Sequence, residues 1–147
     1  MANVIDLESR QQQREAFAKL VAKALHSLDD RFILDDYPTL SRLPSVHQWA
    51  RAHPHELLAH GKALQVQLRQ AVQQAIVISQ ECGRKQLLLA EYMTRRYLQG
   101  ESVTAIARSL EMSRSYLTHA VGAQALAIIT KCFVGLSRQL EEELKAS

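Results

Sequence analysis

The stretch HPHELLAH, residues 53–60, contains residue types that bind zinc in many enzymes. The zinc motif needs two histidines four residues apart, because that spacing places both rings on one face of a helix. His55 and His60 are five residues apart, a spacing that turns the second ring about 140° away on a helix. Glu56 then has no metal to serve, and we expect no metal site.

The remaining sequence holds no other set of residues typical of an enzyme. It lacks a glycine-rich phosphate-binding loop, and neither Cys82 nor Cys132 has an evident base partner. We therefore expect neither catalysis nor a cofactor. The cysteines follow no regular spacing, so a reduced, cytoplasmic protein is the simplest interpretation, although a bridge between them stays open.

Composition favours an all-α fold for these 147 residues. Aliphatic residues are abundant, whereas aromatic residues, glycine and proline are scarce, and β-rich chains need turn residues and aromatic or β-branched strand positions. The N-terminal segment lacks the apolar centre of a signal peptide. The sequence contains no run of about eighteen apolar residues, the length needed to span a membrane, so we expect no membrane partner.

A polar stretch that begins at Ser113 has side chains that can hydrogen-bond to the edges of DNA bases. Ser113 can cap a helix, and the first turns of that helix would expose Arg114, Ser115, Thr118 and His119. The major groove accepts a helix whose N-terminal residues are small, polar or arginine. The pattern therefore indicates a helix over 113–121 that reads double-stranded DNA.

A second short helix must hold this reading helix in place. Ser102 can cap it, and Met112 is the apolar residue of the turn between the two helices. Ala107 would allow the helices to cross closely, because a large side chain at the crossing would force them apart. Apolar residues recur at helical spacing and form one stripe: Val103, Ile106, Ala107 and Leu110.

The positive charge of the chain is concentrated around these two helices. Residues 1–83 carry nine basic and nine acidic side chains, whereas residues 84–138 carry eight basic and three acidic ones. Such a local excess favours phosphate binding. An ordinary solvated surface is the alternative interpretation of the same charges.

The pattern as a whole resembles the helix-turn-helix of bacterial transcription regulators, and in particular that of sigma factor region 4. It reads Ile106-Ala107-x-x-Leu110-x-Met112-Ser113-Arg114-Ser115-x-Leu117. The resemblance covers about residues 85–123. The resemblance implies that five residues of the reading helix face DNA bases and phosphates, and that Ser102 lies at the DNA backbone. These five residues are Ser113, Arg114, Ser115, Thr118 and His119. Arg108 is expected to contact that backbone too.

Glu111 occupies the corner at which many helix-turn-helix units have a glycine in the left-handed conformation. A non-glycine residue there costs roughly 1–2 kcal/mol, which a protein stable by about 5–15 kcal/mol tolerates. Sigma-like motifs often carry a polar or charged residue at this corner, so Glu111 favours that branch. Its carboxylate must point away from the phosphates.

Residues 1–83 are predicted to form a helical scaffold that could also mediate dimerisation. Apolar spacing predicts a helix over Leu7–Leu28 and a long helix from Pro54 to Cys82, which Gly83 ends. A linker at 34–45 separates them, followed by a short helix capped by Ser45. The expected core residues of the long helix are Leu57, Leu64, Leu68, Val72, Ala75 and Ile76.

Residues 84–124 are predicted to form the DNA-binding region, which opens with a helix over Arg84–Gln99. Residues 125–147 are predicted to form a long C-terminal helix with an apolar seam at alternating spacings of three and four. The seam could join two copies or pack within one chain. Its residues are Leu126, Ile129, Phe133, Leu136 and Leu140.

The sequence therefore predicts an all-α helical bundle that regulates transcription by binding specific DNA. A homodimer is expected, because one short helix reads too few base pairs for a specific site. One alternative is a helical protein-interaction adaptor. Another is a sigma-like subunit that binds promoter DNA only together with RNA polymerase, although no obvious second sigma region is present.

Overall fold

A computed structural model describes residues 3–83 and 86–146, and within them it confirms an all-α bundle without strands. A 3-10 turn spans Leu40–Arg42, and wide π turns span Thr94–Leu98 and Leu117–Val121. The second π turn joins two helices, so that the chain is helical without a break from Arg114 to Ala146. The α-helices are α1 (Asn3–His26), α2 (Arg31–Asp35), α3 (Pro44–Ala52), α4 (Ala59–Glu81), α5 (Leu87–Met93), α6 (Val103–Leu110), α7 (Arg114–Tyr116) and α8 (Gly122–Ala146).

Helix α4 is the central element and packs against α2, α3, α5 and α8. Leu64, Leu68 and Val72 lie on its buried face at the spacing of one helical turn. The same hydrophobic core continues through Phe133 of α8 and Ile106 of α6. The scaffold predicted for residues 1–83 and the DNA-binding region predicted for residues 84–124 therefore share one core.

The apolar seam of the C-terminal helix packs within its own chain. Ile129 and Phe133 are fully buried, and the Phe133 ring centroid lies 6.2 Å from that of Phe17 in α1. Leu126, Leu136 and Leu140 are only half-buried. The sequence allowed the seam either to pack within one chain or to join two copies. Packing within the chain is observed, and pairing with a second copy stays a prediction.

The expectation that Ser45 caps a helix is wrong. Helix α3 begins one residue earlier, at Pro44, where the missing N–H of proline costs no hydrogen bond. The Ser45 side chain is buried, and its hydroxyl donates to Gln67 Oε1 at 3.1 Å. A tertiary hydrogen bond to α4 thus replaces the predicted local one.

The start predicted for the long helix near Pro54 is also wrong, because α4 begins at Ala59. The turn before α4 is held by Arg31 of α2, which pairs with Glu56 at 2.8 Å and donates to the Leu57 carbonyl at 3.2 Å. These contacts keep the turn outside α4. Leu57, expected in the core, is 82% exposed. The other five expected core residues of this helix are buried as predicted.

His55 lies in the turn before α4, whereas His60 lies within α4. The argument that compared their positions on one helix therefore does not apply. His60 approaches a different residue, with its Nε2 atom 3.2 Å from Nδ1 of His47. Within residues 3–83 and 86–146, no three histidine, cysteine or acidic side chains are grouped so that they could hold a metal ion.

One helix, Arg114–Glu143, is long and apolar enough to cross a membrane by length and composition alone. Its apolar stretch has a mean hydropathy of 1.5, although Lys131 and several polar residues interrupt the apolar run. Ile129 and Phe133 of this helix fill the core of the bundle. Only 28% of the apolar stretch is buried inside the bundle.

Candidate DNA-binding helix-turn-helix

Both helices of the candidate motif begin with the predicted serine caps. Ser102 Oγ accepts a hydrogen bond from the Ala105 N–H at 3.1 Å, and Ser113 Oγ accepts one from the Tyr116 N–H at 2.9 Å. Each hydroxyl satisfies a backbone donor that has no partner within its own helix. The two caps fix where α6 and the reading helix begin.

The corner between the helices has the left-handed conformation expected of it. Glu111 has φ 55° and ψ 42°, and its side chain is exposed. The Met112 N–H donates to the Ala107 carbonyl at 3.0 Å, which closes the end of α6. A carboxylate-bearing residue thus occupies a conformation that glycine adopts without strain.

The inner faces of the two helices meet in the core, as their apolar stripes predicted. Ile106 and Leu117 are fully buried, and Ala107 and Val121 are nearly so. Helix α6 packs against α7 and the π turn that follows it. The buried pairs hold the reading helix against α6, while its other face stays free for a ligand.

Every predicted site residue is exposed. The first two turns of the reading helix bring five of them together, whereas Ser102 and Arg108 lie at the start and in the last turn of α6. The group at the reading helix comprises Ser113, Arg114, Ser115, Thr118 and His119. This surface offers hydroxyl, imidazole and guanidinium groups that can donate or accept hydrogen bonds.

The helix predicted over 113–121 is the first part of a much longer one. It continues through the π turn and α8 to Ala146, so the predicted boundary at 124/125 falls inside a continuous helix. Gly122 does not interrupt it. The reading surface is therefore the N-terminal end of a helix whose other end lies far from α6.

The cationic surface is smaller than the charge count suggested, because the half-buried Arg95 is already paired with a carboxylate. Its Nε atom lies 2.8 Å from Glu101 Oε2, and its Nη2 atom lies 2.9 Å from Glu101 Oε1. These hydrogen bonds hold the pKa of the Glu101 carboxyl below its ordinary value. The two residues are six positions apart in the sequence, with Gly100 between them, and helical pairing rules predict no contact at that spacing.

Arg96 is also oriented towards the protein rather than towards solvent. Its Nη1 atom donates to the Glu101 carbonyl at 3.3 Å, and its Nη2 atom lies 3.4 Å from Nδ1 of His26 in α1. Nearby, Tyr92 and Tyr97 meet edge to face with their ring centroids 6.3 Å apart. Burial raises the pKa of Tyr97 to about 12.

Two arginines of the motif remain available for a ligand. Arg108 and Arg114 are exposed, and no carboxylate in the part of the chain that the structure describes forms an ion pair with either. Arg84 and Lys85, which belong to the eight basic side chains of residues 84–138, lie outside the described residues. Tyr116, which the sequence interpretation left out, is 51% exposed beside Ser115.

The resemblance to a helix-turn-helix rests on the residues and geometry of this chain alone. No protein-family model matches the chain, and no curated protein and no solved structure matches it either. The caps, the left-handed corner and the shared apolar face are the features that carry the resemblance to a helix-turn-helix.

Proposed function

We propose that this chain is a transcriptional regulator that binds specific double-stranded DNA by inserting the reading helix, from Arg114 onward, into the major groove. One observation carries the proposal. A capped helix end presents Arg114, Ser115, Thr118 and His119 to solvent, while Leu117, between them, is fully buried and holds that end in place. Helix ends of this kind and composition suit the major groove.

Each exposed residue has a role that its chemistry allows. Arg114 can donate two hydrogen bonds to guanine or bind a phosphate, and Thr118 and His119 can contact further bases. Ser102 and Arg108 lie on α6, from which they would contact the sugar-phosphate backbone. The first turn of each helix also favours phosphate, because the backbone N–H groups that the serine cap leaves free carry partial positive charge.

We propose further that the protein binds DNA as a homodimer. The reading surface spans about two turns of helix, which covers too few base pairs to define a specific site. Two copies would read two half-sites, separated by one turn of DNA or a multiple of it. A palindromic site, selected from a random DNA pool, is the expected result.

The test of the proposed function is the affinity of Arg114→Ala for the selected site. Loss of one base or phosphate contact should weaken binding by about 1–3 kcal/mol while the far-ultraviolet circular dichroism stays that of the wild type. Arg51→Ala is the matched control, because Arg51 is exposed on α3, outside the motif. Equal affinities for the two variants would contradict the role of Arg114.

A protein-interaction adaptor is the second candidate function. Phe32 and Leu57 favour it, because they are 76% and 82% exposed on neighbouring segments that Arg31 ties together. A retardation gel with mixed genomic DNA separates the candidates, since the adaptor would cause no shift. A sigma-like subunit would instead bind weakly alone and copurify with RNA polymerase.

A further inference from the structure

Arg95 contacts elements at both ends of α6. It lies in the π turn after α5 and forms the two-pronged pair with Glu101, which directly precedes the cap of α6. Its third nitrogen, Nη1, donates to Ser109 Oγ at 3.1 Å, near the other end of α6. Nη1 also lies 3.8 Å from Glu91 of α5. A single guanidinium group thus joins α5 to both ends of α6.

We infer that Arg95 is a positioning residue that sets the angle of the DNA-reading helix, rather than a phosphate contact of the motif. The inference rests on the proposed function. The Arg95 side chain is only 17% exposed, whereas Arg108 and Arg114 are exposed and lack a carboxylate partner among the described residues. Its charge is already matched by a carboxylate held at hydrogen-bond distance.

The geometry gives this residue control over the reading helix. Helix α6 has eight residues, of which Ile106 and Ala107 are buried and Val103 and Leu110 pack half-buried against the core. This apolar contact is small, and the hydrogen bonds of Arg95 add to it at both ends of the helix. A planar guanidinium bound by two hydrogen bonds to one carboxylate fixes direction as well as distance. The hydrogen bond from Met112 to Ala107 then carries the position of α6 across the corner to the reading helix.

Glu101 provides a test in which electrostatics and positioning predict opposite results. Glu101→Gln removes a negative charge from a surface that would approach phosphates, so electrostatics alone predicts tighter DNA binding. It also breaks the two-pronged pair and frees α6 to shift. Positioning by Arg95 therefore predicts weaker binding, by about tenfold, within the range of coupling seen between hydrogen-bonded residues.

The experiment measures the affinity for the selected DNA site over a series of salt concentrations. Glu101→Gln and Arg95→Lys are both expected to weaken binding by about tenfold with an unchanged salt dependence, because no phosphate contact is lost. Glu111→Gln is the charge-matched control: it removes an acid at the other end of α6 and should tighten binding slightly. Arg108→Gln should remove one phosphate contact, which makes the fall of log affinity with log salt less steep by about 0.9.

Each outcome decides between the alternatives. Unchanged or tighter binding by Glu101→Gln overturns the positioning role of Arg95. So does a reduced salt slope in a folded Arg95→Gln variant, which would make Arg95 a phosphate contact. If Arg95→Gln does not fold, Glu101→Gln and Arg95→Lys decide the matter, because each keeps the aliphatic part of its side chain. A wild-type protein that binds no DNA overturns the proposed function and this inference with it.

Discussion

Gly122 lies against the hydroxyl group of Tyr92, where the helix that begins at Arg114 packs on α5. A Cβ atom at Gly122 would lie 3.3 Å from Tyr92 Oη and 3.1 Å from the Leu117 carbonyl oxygen. Within a helix, glycine costs about 1 kcal/mol relative to alanine. The structure shows what the glycine permits, which is a close approach of the reading helix to α5.

Gly122→Ala is expected to destabilise the protein by about 1 kcal/mol, although alanine is the better helix former. The added methyl group would press on the Leu117 carbonyl, which belongs to the backbone of the same helix, and on the buried Tyr92, so that relief of either contact must shift packed atoms. Chemical denaturation followed by circular dichroism measures the change. Gly135→Ala, in the same helix, meets no atom within 4 Å and should stabilise the protein by up to about 1 kcal/mol. Equal effects would mean that the contact with Tyr92 imposes no constraint.

Gly61→Ala should be far more damaging than Gly122→Ala. A Cβ atom at Gly61 would overlap the carbonyl oxygen of Arg31 and lie 2.9 Å from the Asp35 nitrogen, both of which belong to the backbone of α2. Helix α2 would have to leave α4, with a loss of about 3 kcal/mol or more. Thermal unfolding measures this loss. A melting temperature within a few degrees of the wild type would contradict this account of the α2–α4 contact.

Glu111→Gly should stabilise the protein by about 0.5–1 kcal/mol, because glycine relieves the left-handed strain but adds freedom to the unfolded chain. Glu111→Ala removes the same carboxylate and keeps the strain. We therefore expect alanine to leave the free energy of unfolding nearly unchanged. A similar gain in both variants would show that the charge at the corner, and not its conformation, costs stability.

Alkaline pH should destabilise the protein through Tyr97. Its pKa of about 12 in the folded protein exceeds the ordinary value of 10.0, so its contribution is complete below pH 10. As pH rises from 10 to 12, the unfolded chain releases this proton first, and roughly 2–3 kcal/mol is lost. Phenolate absorbance and urea unfolding across this range measure the effect. Tyr97→Phe should reduce the decline, whereas Tyr116→Phe, at an exposed position, should leave it.

Local rules were enough to predict much of the motif. The hydroxyls of Ser102 and Ser113 bind N–H groups three residues ahead, and such contacts depend on only one turn of chain. The left-handed corner at Glu111 was expected from the resemblance to helix-turn-helix units, many of which have glycine in that conformation at the corner. Helical periodicity also identified the buried face of α4, where five of the six expected core residues are buried.

The errors have a common physical cause, which is contact between residues distant in sequence. Ser45 bonds to Gln67, and Arg31 bonds to Glu56, and these contacts override local capping and helix-start preferences. Arg95 and Glu101 are only six positions apart, but a turn rather than a helix brings them together, so helical pairing rules do not predict their contact. A count of charges along the chain cannot separate a cation facing solvent from one that is already paired.

The unbroken helix from Arg114 to Ala146 has a mechanical consequence. It is roughly 50 Å long at 1.5 Å per residue, and buried side chains hold it against the bundle from Leu117 to Ser137. The held length begins three residues after Arg114, whereas residues 138–143 have no buried side chain. A partner that binds the exposed C-terminal end would therefore lie far from Arg114 and would act on it only through the packed length between them.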